Sequence, residues 1–103
     1  MIGDRLMTPD VFKASLAKST PPTGLSPALT ALWWAGKEDW NKAHALVMDD
    51  DGAECAWVHA YLHRVEGDLD NAGYWYRRAR RQPAQGELAA EWAVIAAALL
   101  ESQ

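Results

Sequence analysis

Disulfide chemistry is the first thing missing from this chain, because a single cysteine, Cys55, stands among 103 residues. No intrachain bridge can form, and that usage fits a reducing compartment. Cys55 lies in an apolar helical run and reads as a small buried hydrophobe, not a nucleophile. A membrane-spanning run is missing as well. The most apolar stretch, Leu88 to Leu100, is interrupted by Glu91 and falls short of the roughly 20 apolar residues that a spanning helix needs. The start, Met1-Ile2-Gly3-Asp4-Arg5-Leu6-Met7, lacks the basic and apolar regions of a signal peptide, so a cytoplasmic protein is expected. Positive charge is scarce: ten lysines and arginines against fourteen carboxylates give a net charge of −4. General nucleic-acid affinity needs clustered cations to neutralise phosphates, and is not expected. There is also no glycine-rich phosphate loop, no convincing carboxylate pair, and no serine or cysteine placed beside a histidine for attack. No catalytic motif stands out, so the reading leans away from an enzyme, and no cofactor is implied.

Helix punctuation and tryptophan are abundant instead; there are six tryptophans. Thr8-Pro9 and Ser26-Pro27 each pair a capping side chain with a first-turn proline, predicting helices to about Lys18 and Lys37. Pro21, Pro22 and Gly24 mark the intervening loop. Asp39 caps the next helix, which fades into Asp49-Asp50-Asp51-Gly52. Val47 and Val58 occupy places where a calcium loop needs carboxylates. Asp51 and Glu54 have capping-box spacing for a helix from Ala53 to Glu66, one so ringed by apolar and aromatic residues that neighbours should cover most of it. Gly67 ends it, and Asp68 caps a partner running to about Arg81. Arg77, Arg78, Arg80 and Arg81 there complement the helix dipole and read as a solvated face. After Pro83 and Gly86, a last helix carries Leu88, Trp92, Ile95 and Leu99 as one stripe, expected to pack on the Tyr74–Arg81 helix. Its other faces, rich in alanine with only Glu87, Glu91 and Glu101, predict a cap or a homodimer contact. No strand pattern survives, so the chain reads as all-α.

One phrase occurs twice: Asp39-Trp40-Asn41-Lys42-Ala43 returns as Asp68-Leu69-Asp70-Asn71-Ala72, 29 residues on. A fixed offset of that size signals stacked helical hairpins. The chain therefore divides into an N-terminal helix and Pro-rich loop (1–25), a first hairpin (26–51), a second (52–82) and a capping helix (83–103), a single domain of about six helices. Trp40 and Leu69, each following an Asp cap, are both expected to be buried.

Ala56 to Ala79 resembles a tetratricopeptide repeat. Ala60 stands where the first helix packs closely, Gly67-Asp68-Leu69 forms the turn, and Ala72, Tyr76 and Ala79 follow on the second helix. The resemblance implies antiparallel helical hairpins crossing at Ala60 and Ala72. The earlier hairpin matches less well, with Ala31, Asp39-Trp40, Ala43 and Val47 in place but Glu38 where glycine is usual. The longer run Ala56-Trp57-Val58-His59-Ala60-Tyr61-Leu62-His63-Arg64, then Glu66-Gly67-Asp68, Asn71-Ala72 and Tyr74-Trp75-Tyr76-Arg77-Arg78-Ala79, resembles a group of short bacterial proteins with no assigned activity. It implies a bacterial origin and no chemistry.

The helix carrying His59 and His63 is the candidate site. Spaced by four, they share a face and could chelate a metal, with His44 approaching from the neighbouring helix and Glu66 nearby. The favoured reading leaves them without a metal, pointing at Ala72, Tyr76 and Ala79 and satisfied by a tyrosine hydroxyl or a backbone carbonyl. Trp57, Tyr61 and Arg64 line another face with residue types enriched at binding hot spots. With His59, His63 and Asn71 they form the expected binding set. The function expected is a non-enzymatic interaction module for a protein or peptide partner in the bacterial cytoplasm. The alternative is a small-ligand or metal-binding protein, catalytic or not, using the His/Trp/Tyr/Arg-rich helix 56–66, with His44, His59 and His63 as metal ligands.

Overall fold

Short-range capping sets most helix starts, and the computed structural model, which describes residues 7–102, carries it out atom by atom. The Thr8 hydroxyl accepts from the Val11 amide and the Ser26 hydroxyl from the Leu29 amide, each before a proline. These caps open α1 (Pro9–Ala14) and α2 (Pro27–Gly36); α3 (Trp40–Val47), α4 (Ala53–Val65), α5 (Leu69–Ala79) and α6 (Leu88–Ser102) follow. The described residues contain these six helices, a 3-10 turn at Ser15–Ala17 and no strand, so the chain is all-α. The expectation about a signal peptide at residues 1–6 lies outside the described residues. Among the described residues no helix is long and apolar enough to cross a membrane.

Three residues connect α2 to α3 and three connect α4 to α5, short links that pair neighbouring helices into hairpins. The two links have the same backbone. Glu38 and Gly67 both take positive φ, +64° and +86°. The Asp39 amide donates to the Trp34 carbonyl and the Asp68 amide to the His63 carbonyl, both at 2.9 Å. Each aspartate then caps its helix, Asp39 accepting from the Lys42 amide and Asp68 from the Asn71 amide. Gly67 enters the left-handed region without a Cβ penalty, whereas Glu38 pays about 1–2 kcal/mol for the same turn.

The repeated phrase diverges one residue further on. Trp40 is half-buried and its indole N–H donates to the Leu62 carbonyl at 2.7 Å. Leu69, expected to be buried, is 68% exposed. Trp40 lies between two hairpins, since α3 packs on α4; among the described residues no third hairpin stacks beyond α5. The final helix is the reason. It packs mainly on α1, α2 and α4, and meets the Tyr74–Arg81 segment, its expected partner, through Tyr76, whose hydroxyl donates to Glu91. Trp92 explains this choice: its ring stacks on Phe12 at 5.5 Å and its N–H donates to the Leu32 carbonyl at 2.8 Å. Leu88 is left partly exposed, while Ile95 and Leu99 stay buried with Trp92.

Other local expectations change. The α4 cap is Gly52 with no side-chain hydrogen bond, not Asp51, because Asp50 turns back to accept from the Gly52 amide. α1 stops at Ala14, where the Ser15 hydroxyl donates to the Phe12 carbonyl and a 3-10 turn takes over. α5 ends at Ala79 instead of Arg81, because Arg80 adopts a left-handed conformation. The core then runs through α4, where every residue from Cys55 to His63 is buried. Ala60 and Ala72 are both buried there.

Candidate functional site

The one long helix that is buried on nearly every side carries two histidines, so their polar atoms must be met within the protein. His59 and His63 are 3% and 6% exposed. α3, held against α4 by the Trp40 hydrogen bond, brings His44 to them. The three ring centroids lie 4.7, 5.5 and 4.8 Å apart. His44 Nε2 and His59 Nε2 are 3.0 Å apart, so one of them carries the proton and the other accepts it. His63 Nδ1 lies 2.7 Å from the Glu66 carboxylate. Two tryptophans close the cluster. Trp40 stacks on His44 at 4.6 Å, and Trp75 stacks on His59 at 3.9 Å with 17° between planes.

The expected partners are therefore corrected. The histidines are not satisfied by Tyr76, whose hydroxyl donates to Glu91. They meet each other, Glu66 and two indole faces. Trp75 was not in the expected set. Its place two turns after Asp68 becomes informative only once α5 is known to pack along α4.

The rest of the expected set disperses. Trp57 and Tyr61 are each 6% exposed and belong to the core, and Arg81 covers the Trp57 ring at 3.8 Å. Arg78 lies over Trp75, so at least these two arginines serve aromatic faces and not simply water. Arg64 pairs with Glu91 at 3.0 Å and also donates to the Gly86 carbonyl. Glu91, expected on an outer face of α6, is 5% exposed. Asn71 is exposed, and its amide and side chain go to the Asp68 cap. Of these four, Trp57 and Arg64 are engaged within the protein, Asn71 is exposed beside its own cap, and Tyr61 lines a cleft.

A cleft that the sequence did not signal opens beside Trp40. It has a volume of about 520 Å³ and lies between the α2–α3 turn, α4 and α6, with Trp40, Tyr61, Leu62 and Trp92 among its walls and Lys13 and Glu38 on its polar side. Gly36 lines it too, and a Cβ there would crowd Leu16 at 2.9 Å and Trp92 at 3.1 Å. The cleft is built from residues 13 to 93, which is why no local motif announces it.

Burial also sets the protonation states. The Cys55 thiol is pushed up to about 12, first by burial and then by Asp50, so it is not a thiolate nucleophile near neutral pH. Burial raises Tyr76 as well, reinforced by its bond to Glu91. Burial and then the charges of His44 and His63 bring His59 down to about 4. His44 is lowered by burial and His63, against an opposing pull from Glu66.

The consequence for stability has a definite sign. Unfolded, a histidine binds its proton near pH 6.5; folded, His59 resists it until about 4. The contribution is therefore complete above pH 6.5 and is lost as pH falls through that window, by roughly 3 kcal/mol at the lower end. Urea denaturation of chelator-treated protein at pH 7 and pH 4.5 should show that loss, and His59→Leu should flatten it. Equal stability at the two pH values in the parent chain would contradict the assignment.

Comparison with known proteins returns no match: no family model, no curated protein and no solved structure matches the chain.

Proposed function

We propose that the chain is a non-enzymatic binding module whose apolar cleft takes apolar side chains from a segment of a protein partner. The cleft carries this reading. Its volume of about 520 Å³ lies in the range of ligand-sized sites, roughly 300–1,000 Å³. Its walls are aromatic faces and aliphatic side chains, the anchoring surfaces that dominate interface energetics. Trp40 and Trp92 already have their N–H groups bonded to the backbone carbonyls of Leu62 and Leu32. The indoles therefore offer apolar surface without an unmet polar demand. Val65 and Leu88, 42% and 38% exposed, continue that surface, and Lys13 and Glu38 supply a polar edge. The free, buried cysteine is in keeping with a reducing bacterial cytoplasm as the setting.

Peptide display against the purified chain tests the reading. Selected peptides should carry two or more aliphatic or aromatic residues at helical or extended spacing. Ala93 lines the cleft and is exposed, so Ala93→Trp should fill the cleft, keep the helical circular dichroism and weaken such peptides at least about tenfold. Peptides that bind Ala93→Trp unchanged would remove the cleft as the site. Light scattering of both proteins addresses a second copy as occupant: a dimer lost in Ala93→Trp would assign the cleft to self-association.

A further inference from the structure

Three imidazoles meet where α3 packs on α4, and a helical array does not need them there. Apolar side chains would fill the same space without the cost of burying polar rings. One ring nitrogen from each of His44, His59 and His63 lies within 4.8 Å of the other two, and the closest pair is already at 3.0 Å. A tetrahedral ion with bonds of about 2.0–2.1 Å to nitrogen spaces its ligands by about 3.3 Å. That spacing falls within the span that the rings present, so small side-chain rotations bring the third nitrogen in.

We infer that His44, His59 and His63 form a site for one divalent first-row transition ion, with Zn²⁺ as the representative, and leave a fourth position open to an exchangeable ligand. Neutral imidazole is a ligand that such ions prefer, and three protein ligands with one open position is an established coordination pattern for zinc. The surroundings of each ring support this beyond the cluster itself. The Glu66 carboxylate, 2.7 Å from His63 Nδ1, holds the proton on that nitrogen and directs the lone pair of Nε2 outward. This is the carboxylate–histidine arrangement that orients metal-bound imidazoles. Asp68 joins Glu66 and His63 within the same 4.8 Å limit, so two carboxylates offset the charge of a dication.

His59 presents Nε2 to the cluster, 3.0 Å from His44 Nε2. Its Nδ1, the one buried side-chain nitrogen or oxygen among the described residues with no hydrogen-bond partner, is the nitrogen left to carry the ring proton when Nε2 ligates. Trp75 and Trp40 fix the planes of His59 and His44 by stacking, limiting the motion that ligation would otherwise have to freeze. His44 is half-buried while its two partners are buried, so an ion reaches the cluster past His44. The site shares Trp40 with the apolar cleft but none of its ligands, and it stands whether or not the cleft binds a protein.

Calorimetric titration of the chelator-treated full chain with Zn²⁺ at pH 7, paired with Co²⁺ absorption spectroscopy, tests the inference. One ion per chain should bind, and Co²⁺ should develop the intense visible bands of a four-coordinate centre. His44→Ala removes a ligand at the edge of the fold and should weaken binding about 100-fold or more, with helical circular dichroism retained. Glu66→Gln keeps all three ligands and should weaken binding about 10–100-fold. Asp50→Asn/Asp51→Asn, in the exposed acidic run, should bind Zn²⁺ like the parent. Absence of saturable uptake, or uptake that His44→Ala leaves unchanged, would overturn the site. Loss of uptake in the aspartate variant alone would overturn it too, by placing the ion at the acidic run.

Discussion

Glu91→Ala should be among the most damaging single substitutions in this chain, costing about 3–5 kcal/mol. The carboxylate is almost wholly buried, and it accepts from Arg64 through one oxygen and from the Tyr76 hydroxyl through the other. Arg64 is itself only 13% exposed on its side chain. Removing the carboxylate leaves the guanidinium with only its bond to the Gly86 carbonyl and takes the carboxylate acceptor from the Tyr76 hydroxyl, both groups being already largely stripped of water. Urea denaturation should show the loss directly. A companion variant separates this cause from a mere cavity. Arg64→Met/Tyr76→Phe/Glu91→Leu removes the whole polar group and should regain most of the stability, because apolar replacements of buried ion networks are often neutral or better. A triple variant as unstable as Glu91→Ala would refute the unpaired-charge account.

Trp33→Ala should be comparably severe, at about 3–5 kcal/mol. The side chain is fully buried in α2, and its N–H donates to the Ser15 hydroxyl at 2.9 Å. Ser15 in turn donates to the Phe12 carbonyl, so the indole also fastens the 3-10 turn after α1. Trp34, adjacent in sequence, meets Trp33 edge-on at 5.0 Å but is only half-buried. Trp34→Ala should therefore cost clearly less. For a domain whose whole margin is commonly 5–15 kcal/mol, the first substitution approaches unfolding at room temperature and the second does not. Equal melting temperatures for the two variants would mean that the burial of Trp33 does not carry the weight given to it.

What the sequence revealed follows the reach of each interaction. Capping acts over three residues, so Thr8, Ser26, Asp39 and Asp68 were legible as helix starts, and each accepts the expected amide. Gly52 was missed because a cap can rest on backbone conformation without a side-chain bond. The approach of His44 to His63 was also readable, since hairpin order constrains which helix ends meet. The indole stacking on His59 and the short contact between His44 and His59 were not, because they depend on ring rotation. Glu91 was misplaced for a different reason. Its partner Arg64 lies 27 residues away and Tyr76 15 away, and a charged residue on an alanine-rich helix carries no local sign that it turns inward. Leu69 shows the limit of repeat logic: the turn recurs, but burial depends on what stacks next, and among the described residues no further hairpin covers it.

Cys55 gives this fold a built-in clock. It is the sole thiol, buried in the first turn of α4 and held in its unreactive protonated form. A thiol-specific reagent can modify it only when α4 is uncovered, so labelling under native conditions counts opening events, not surface encounters. In the limit of fast reclosing, the labelling rate relative to that of a free peptide thiol gives the free energy of the opening that exposes α4. Because a single site reports, no second cysteine blurs the reading and no probe has to be engineered. The time course should therefore be single-exponential and slow with increasing stability.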